Sequence, residues 1–261
     1  MKKFLLILLA AVLCLGAVAC SNTAPASNKI ILGTSADYPP FEFIILDDSG
    51  KQQYVGIDIS LAQAIAEDQN KELVVMNMEF ESLMAALQKG DVDIVIAAIE
   101  ETPERLEAAD FSTAYYTDYP PMILVKASKA AEYSSTESFS GKAVGAQTGT
   151  TKADLVSSEL PGANLVALTS VNDLVNQLVY DKVDAILLDG AVALQYAESN
   201  SELVVADVSL GEAYPYCVAV QKGDPKGLLG QINATIEKLL EANQIQAFSE
   251  AADALSDQAI E

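Results

Sequence analysis

The sequence predicts an α/β fold made of two similar lobes that face each other across a cleft. Three observations carry that reading. Apolar strand-like runs alternate with helical patterns through most of the 261 residues, the mark of parallel sheets flanked by helices. Ser82 to Ile99 aligns without gaps on Asp173 to Gly190, with Leu83/Leu174, Leu87/Leu178, Val92/Val183 and Asp93/Asp184 identical, so each lobe is expected to hold one copy of a helix–strand unit. In open parallel sheets ligands bind beyond the carboxyl ends of the strands. The matched strands end at Ala97-Ala98 and at Leu188-Asp189, and those ends are expected to oppose each other.

Lys2 and Lys3 precede an apolar run from Phe4 to Ala19, too short for a span of about 20 residues and laid out like a secretory signal. Ala17-Val18-Ala19-Cys20 resembles a bacterial lipobox, which directs a lipid onto the Cys; Ala17-x-Ala19 equally suits ordinary signal peptidase, and both readings are open. The sequence therefore assigns 1–19 as signal peptide and 20–28 as a flexible tether behind a lipidated Cys20. Ile30–Gly33 is the first strand. A hairpin turns at Asp47-Asp48-Ser49-Gly50, Asp58 is expected to cap the next helix, and Leu61, Ala64 and Ile65 share one of its faces. Leu73–Met78 reads as a strand, Ser82–Lys89 as a helix and Val92–Ala98 as a buried strand. Cys217, within Tyr216-Cys-Val-Ala-Val220, reads as a buried strand residue, and Ile232–Leu240 as an amphipathic helix near the end of the chain.

Composition removes whole classes of function. Against 15 Lys+Arg stand 37 Asp+Glu, a formal net charge of −22, which repels phosphate backbones and excludes nucleic acid as a partner. No His is present, so Ser-His-Asp, Cys-His and most zinc chemistry are absent; the three Cys form no C-x-x-C pair. No cofactor and no metal site is expected. One arginine, Arg105, stands among fourteen lysines.

Arg105 follows Thr102-Pro103, a helix start with Thr as N-cap and Pro at the first helical position. Two readings are open for it: a surface pair with Glu101 or Glu104, or a guanidinium that reaches the cleft and holds a carboxylate by two parallel hydrogen bonds. Gln147-Thr148-Gly149-Thr150-Thr151 follows the strand Ala143–Ala146 and opens a helix, either as an ordinary N-cap or as an anion site. Asp37-Tyr38-Pro39-Pro40-Phe41-Glu42-Phe43 forms a stiffened loop after the first strand. Phe41 and Phe43 suit the core, and Tyr38 suits a cleft wall opposite Phe80.

These segments together resemble the extracellular solute-binding proteins of family 3, which deliver polar amino acids to ABC importers. The resemblance runs from about Lys29 to Phe248. It rests on Tyr38-Pro-Pro-Phe-Glu42, Gly56-Ile-Asp-Ile-Ser-Leu-Ala62, Ser82-Leu-Met-Ala-Ala-Leu-Gln-Lys-Gly90, Thr102-Pro-Glu-Arg105, Asp110-Phe-Ser112 with Tyr115-Tyr116, Gly149-Thr-Thr151, Val183-Asp-Ala-Ile186 and Gly223-Asp-Pro225. It implies a two-lobed, type II periplasmic-binding-protein-like fold with two hinge strands: lobe 1 from 29–116 plus 214–261, lobe 2 from 117–213. It further implies that Arg105 clamps a ligand α-carboxylate with Thr150 and Thr151, that Asp189 accepts hydrogen bonds from the α-ammonium, and that Tyr38 and Phe80 sandwich the ligand side chain. Gln147 lies in the same loop.

Three departures from the family pattern stand out. Ala97 and Ala98 replace Ser, Gly or Thr and offer backbone groups only. Glu100 replaces a small hydroxyl residue, and either strengthens the cation end of the site or reaches toward a basic ligand side chain. Lys152 stands where Gln is common, and pairing with Glu100 across the closed cleft is a third possibility for that carboxylate. The resemblance implies a monomeric, exported binding protein, anchored through Cys20 to the outer face of the membrane, for a free amino acid, basic or polar neutral. Its partner is an ABC permease. The excess of acids near the site (Asp37, Glu42, Glu100, Asp189) tilts the ligand toward a basic or neutral polar one. The alternative is a secreted cyclohexadienyl or arogenate dehydratase-like enzyme on the same fold, with Glu100 and Lys152 as acid and base. A sensing role within one chain is disfavoured by the absence of a second apolar span before Glu261.

Overall fold

The computed structural model describes residues 28–208 and 210–259; the signal segment 1–19, Cys20 and the tether up to 27 lie outside the described residues. In chain order the first part comprises β1 (Lys29–Thr34), β2 (Phe43–Leu46), β3 (Gln52–Val55), α1 (Ile57–Asp68), β4 (Glu72–Asn77), α2 (Leu83–Lys89), β5 (Ile94–Val95), α3 (Pro103–Ala108), β6 (Ala109–Phe111) and β7 (Tyr116–Thr117). The middle comprises β8 (Met122–Lys126), β9 (Ala143–Gln147), α4 (Thr151–Glu159), β10 (Asn164–Leu168), α5 (Val171–Val179), β11 (Ala185–Leu188), α6 (Gly190–Ser199) and β12 (Leu203–Val205). The chain then returns through β13 (Pro215–Tyr216) and β14 (Ala219–Gln221) to α7 (Leu229–Glu241) and α8 (Gln244–Ser256).

Two five-stranded sheets result, one per lobe, ordered β4-β1-β5-β14-β6 and β10-β9-β11-β8-β12. Their pairings correspond strand for strand. β1 is parallel to β4 and β5, and β9 to β10 and β11; the fourth strand of each sheet is antiparallel to its neighbours. Between the lobes β7 and β13 pair antiparallel, Thr117 with Pro215 and Tyr116 with Tyr216.

The internal repeat is a structural one. Leu83 and Leu87 on α2, and Leu174 and Leu178 on α5, are all fully buried, and Val92 and Val183 nearly so. Burying each such leucine contributes about 1.5–3 kcal/mol. The repeated aspartates also do the same job twice. Asp93 Oδ2 accepts from the Ile31 N–H of β1 at 2.7 Å, and Asp184 Oδ2 from the Ala143 N–H of β9 at 2.9 Å. Each ties the turn after its helix to the neighbouring strand.

The structure corrects several local expectations. The N-cap of α1 is Gly56, at φ +123, where an added Cβ would meet the Phe41 carbonyl oxygen at 2.1 Å. Asp58 is the second residue of the helix and does not cap it; its carboxylate accepts from Ala98 N–H at 2.7 Å and Tyr115 O–H at 2.6 Å. The strand expected over Val92–Ala98 is reduced to Ile94–Val95 as β5: Val92 and Asp93 belong to the turn before it, and Ala98 leaves the extended region at φ +44. Cys217 is buried as expected but sits between β13 and β14 rather than in a strand.

Candidate functional site

The carboxyl ends of the matched strands do meet across the cleft. From lobe 1 come Tyr38, Glu100 and Arg105; from lobe 2 come Thr151, Lys152 and Asp189. Local sequence places each of them. Thr102 caps α3, its Oγ1 accepting the Arg105 N–H at 3.1 Å with Pro103 in the first turn. Thr150 is the N-cap of α4, which sets Lys152 on its first turn. Asp189 occupies the N-cap position of α6, yet its side chain makes no cap hydrogen bond and points into the cleft instead. Gly190 follows because a Cβ there would lie 2.5 Å from Tyr119 Cβ and 2.7 Å from the Pro120 carbonyl oxygen, inside the chain crossing between lobes.

The charged groups form one chain of alternating sign. Arg105 donates from one terminal nitrogen to Glu100 Oε2 and to the Glu100 carbonyl, both at 2.9 Å, and from the other to the Gly149 carbonyl of lobe 2 at 3.2 Å. Its guanidinium also lies 5.3 Å from the Phe80 ring centroid, a cation–π contact. Lys152 Nζ lies 2.6 Å from Glu100 Oε1 and 2.8 Å from Asp189. Thr151 donates its hydroxyl to Glu100 Oε1 at 3.0 Å, and Tyr38 donates to Asp189 Oδ2 at 2.7 Å. The Lys152 and Glu100 side chains are only 4% and 2% exposed, so these contacts act in a region where water screens little.

The ionisation equilibria follow from that setting. Burial pushes Glu100 up, but Lys152 and Arg105 outweigh it and hold the carboxyl at about 2. Burial pushes Lys152 down, and the charges of Asp189 and Glu100 more than offset it, so the ammonium is retained. Asp189 is raised by burial and by the charge of Glu100, against the pull of Lys152.

Other expected residues have different partners. Gln147 donates to the Thr169 carbonyl at 2.9 Å, and Thr150 Oγ1 to the Gln147 carbonyl at 2.7 Å, so both brace the lobe 2 loop. Ala97 and Ala98 are buried, and the Ala98 N–H is spent on Asp58. Tyr38 reaches Asp189 and Phe80 lies against Arg105, so each ring already has a polar or charged neighbour. Arg105 pairs with neither Glu101 nor Glu104 but with Glu100. Glu42, counted among the acids near the cleft, is buried in lobe 1 beside Asp58. There burial, and then the charge of Asp58, drives its carboxyl well above the ordinary range.

One bridging contact is not legible in the sequence. Asp37 Oδ2 accepts the Val171 N–H at 2.8 Å, so a lobe 1 carboxylate sits at the N-terminus of α5 in lobe 2. Burial raises that carboxyl to about 6, partly opposed by the Val171 hydrogen bond. Beyond Arg105 the cleft opens into a cavity of about 420 Å³ lined by Phe80, Met84, Gly149 and the carboxylates Glu81, Glu104 and Asp154.

Known proteins share both the sequence and the architecture. The arginine-binding extracellular protein ArtP of Bacillus subtilis is 36% identical over 222 residues, covering 82% of this chain and 84% of its own. The ABC transporter arginine-binding protein 1 of Escherichia coli is 28% identical over 87% of this chain and 91% of its own. Among solved structures, the amino acid ABC transporter substrate-binding protein AbpA of Streptococcus pneumoniae, bound to L-arginine, superposes with a TM-score of 0.84. It is 34% identical, over 88% of this chain and 96% of that one. Residues 30–251 match the family of bacterial extracellular solute-binding proteins, family 3, and the chain belongs to that family.

Proposed function

We propose that the protein captures a free amino acid with a basic side chain, arginine above all, between its two lobes and delivers it to an ABC importer. The observation that carries this reading is the complementary charge of the two cleft walls: Arg105 of lobe 1 holds a carboxylate and Asp189 of lobe 2 holds an ammonium, the two head groups every free amino acid presents. The acidic lining of the adjoining cavity, Glu81, Glu104 and Asp154, favours a cationic side chain over a neutral one. The arginine-binding relatives and the arginine-bound neighbour support the same ligand class.

In this reading Arg105 takes the ligand carboxylate with Thr151 beside it, Asp189 and Tyr38 take the ammonium, and Phe80 lines the side-chain path. Ala97, Ala98, Gln147 and Thr150 shape the site through backbone and loop geometry. Lobe 1 spans 29–116 plus 214–261 and lobe 2 spans 117–213, so closure bends the crossings at β7 and β13. Opposite charges from the two lobes on one ligand make binding itself favour closure. The family is extracellular; lipidation of Cys20 would hold this member, as a monomer, at the outer face of the membrane beside its permease. Capture without chemistry fits better than the dehydratase alternative, because Glu100 and Lys152 saturate each other and neither is poised to move a proton.

A thermal-shift panel over the standard amino acids and ornithine tests this, on protein lacking residues 1–20 and stripped of bound solute in denaturant. A ligand at 100 times its Kd stabilises by about 2.7 kcal/mol. Arginine is expected to give the largest shift and Arg105→Ala to abolish it; a flat panel contradicts amino-acid capture.

A further inference from the structure

Arg105 and Asp189 are the groups the proposed function assigns to ligand, and in the structure both are engaged by the protein's own side chains. Glu100 presents a carboxylate to Arg105 at 2.9 Å, and Lys152 an ammonium to Asp189 at 2.8 Å. Those are the two head groups of an amino acid, supplied from opposite lobes and joined to each other by a 2.6 Å contact. We infer that Glu100 and Lys152 form an internal substitute for the ligand head groups, which closes the lobes on its own and which every incoming ligand must displace from Arg105 and Asp189. The inference rests on the assignment of Arg105 and Asp189 to ligand.

Three features of the geometry support it. The chain Arg105–Glu100–Lys152–Asp189 alternates in sign and is balanced, two cations against two anions, so closure leaves no charge of this set unpaired. It crosses the cleft more than once: Lys152 and Thr151 of lobe 2 reach Glu100 of lobe 1, and Arg105 of lobe 1 reaches the Gly149 carbonyl of lobe 2. Glu100 also pairs by backbone with Tyr216 of β13, which couples the latch to the strands between the lobes.

A zwitterionic ligand replaces two internal contacts one for one. Its carboxylate takes Arg105 from Glu100, its ammonium takes Asp189 from Lys152, and the Glu100–Lys152 contact survives as a neutral pair. The charge count of the site is the same before and after. Affinity is therefore set by the difference between external and internal head groups. If the latch holds the ligand-free protein closed nine-tenths of the time, apparent affinity falls about tenfold. Ligands that make few side-chain contacts are the ones a threshold of this kind rejects, which makes Glu100 and Lys152 specificity determinants.

Small-angle scattering on stripped protein without ligand tests this directly. The wild type is expected to have the radius of gyration calculated for the closed structure, and to change little when L-arginine is added. Glu100→Ser/Lys152→Gln, which removes both charges together, is expected to be more extended, to contract on adding L-arginine, and to bind it about tenfold more tightly. Glu100→Gln/Lys152→Met, closer in shape, guards against a fold defect in the first variant. An extended ligand-free wild type, or equal radii for wild type and both variants, overturns the inference whether or not L-arginine binds. Loss of L-arginine binding in every protein, with the difference in ligand-free radii intact, contradicts only the ligand proposed above.

Discussion

Lys152 and Asp189 meet in the buried cleft with the ammonium nitrogen 2.8 Å from each oxygen of the carboxylate. Tyr38 donates to one of those oxygens from the opposite lobe, and its own oxygen accepts the Asp189 N–H at 3.2 Å. Asp189 is thus oriented by two residues, Lys152 and Tyr38, around a site for a cation. Two replacements separate these contributions. Asp189→Asn removes the charge that holds the ammonium and is expected to reduce amino-acid affinity by about 2–5 kcal/mol. Tyr38→Phe keeps the ring and loses one hydrogen bond, an expected cost of about 1 kcal/mol. Titration calorimetry on both variants reads the difference.

Arg105→Lys keeps the charge and loses the fork. The guanidinium makes three hydrogen bonds in two directions, to Glu100 and to Gly149, while lying against Phe80. A lysine ammonium reproduces neither the paired geometry nor the stacking. The expected loss is at least about 2 kcal/mol, or roughly thirtyfold in Kd, from removing charge-assisted bonds at a nearly buried site. Calorimetry with the stripped variant is the check.

Asp37 sets a pH dependence of stability whose sign is fixed. Its carboxyl is raised from 3.8 to about 6 by burial. Between those values the folded state binds more protons than the unfolded one, so its contribution falls as pH rises through that window and levels off above it. The shift corresponds to about 3 kcal/mol at most. Asp37→Asn should still accept the Val171 N–H without the ionisation penalty. The melting-temperature gap between variant and wild type is expected near zero at pH 4 and largest above pH 7.

Gly190→Ala probes how the chain crossing supports the site. The new methyl would stand 2.5 Å from Tyr119 Cβ and 2.7 Å from the Pro120 carbonyl oxygen, neither of which is the end of a flexible side chain. The expected cost is about 1–3 kcal/mol of stability by overpacking. Because Asp189 is the preceding residue, ligand affinity should fall with it. Chemical denaturation and calorimetry on the same preparation measure the two effects.

The sequence carried the repeat because both copies use the same side chains for the same contacts. Leu83 and Leu174 bury the same helix face, and Asp93 and Asp184 accept the N–H of the equivalent neighbouring strand. Thr102 was legible as a cap because helix starts are local. The role of Asp58 was not, since Gly56 makes the turn and frees that carboxylate for Ala98, forty residues away. The Lys152–Asp189 contact was hidden for the same kind of reason: it depends on the first turn of α4 packing beside the N-cap of α6. The pairing of Lys152 with Glu100 was visible as one possibility because both residues depart from the family pattern at positions facing the cleft.

Arg105 and Asp189 together are expected to hold the two head groups of a free amino acid. Isothermal titration of L-arginine into protein stripped in denaturant and refolded tests it most directly, with agmatine, which lacks the carboxylate, titrated in parallel. L-arginine is expected to bind saturably and one to one, and agmatine at least about hundredfold more weakly, the loss of one buried charge-assisted partner. Equal affinity for the two, or no heat from any standard amino acid with folded protein, would contradict it.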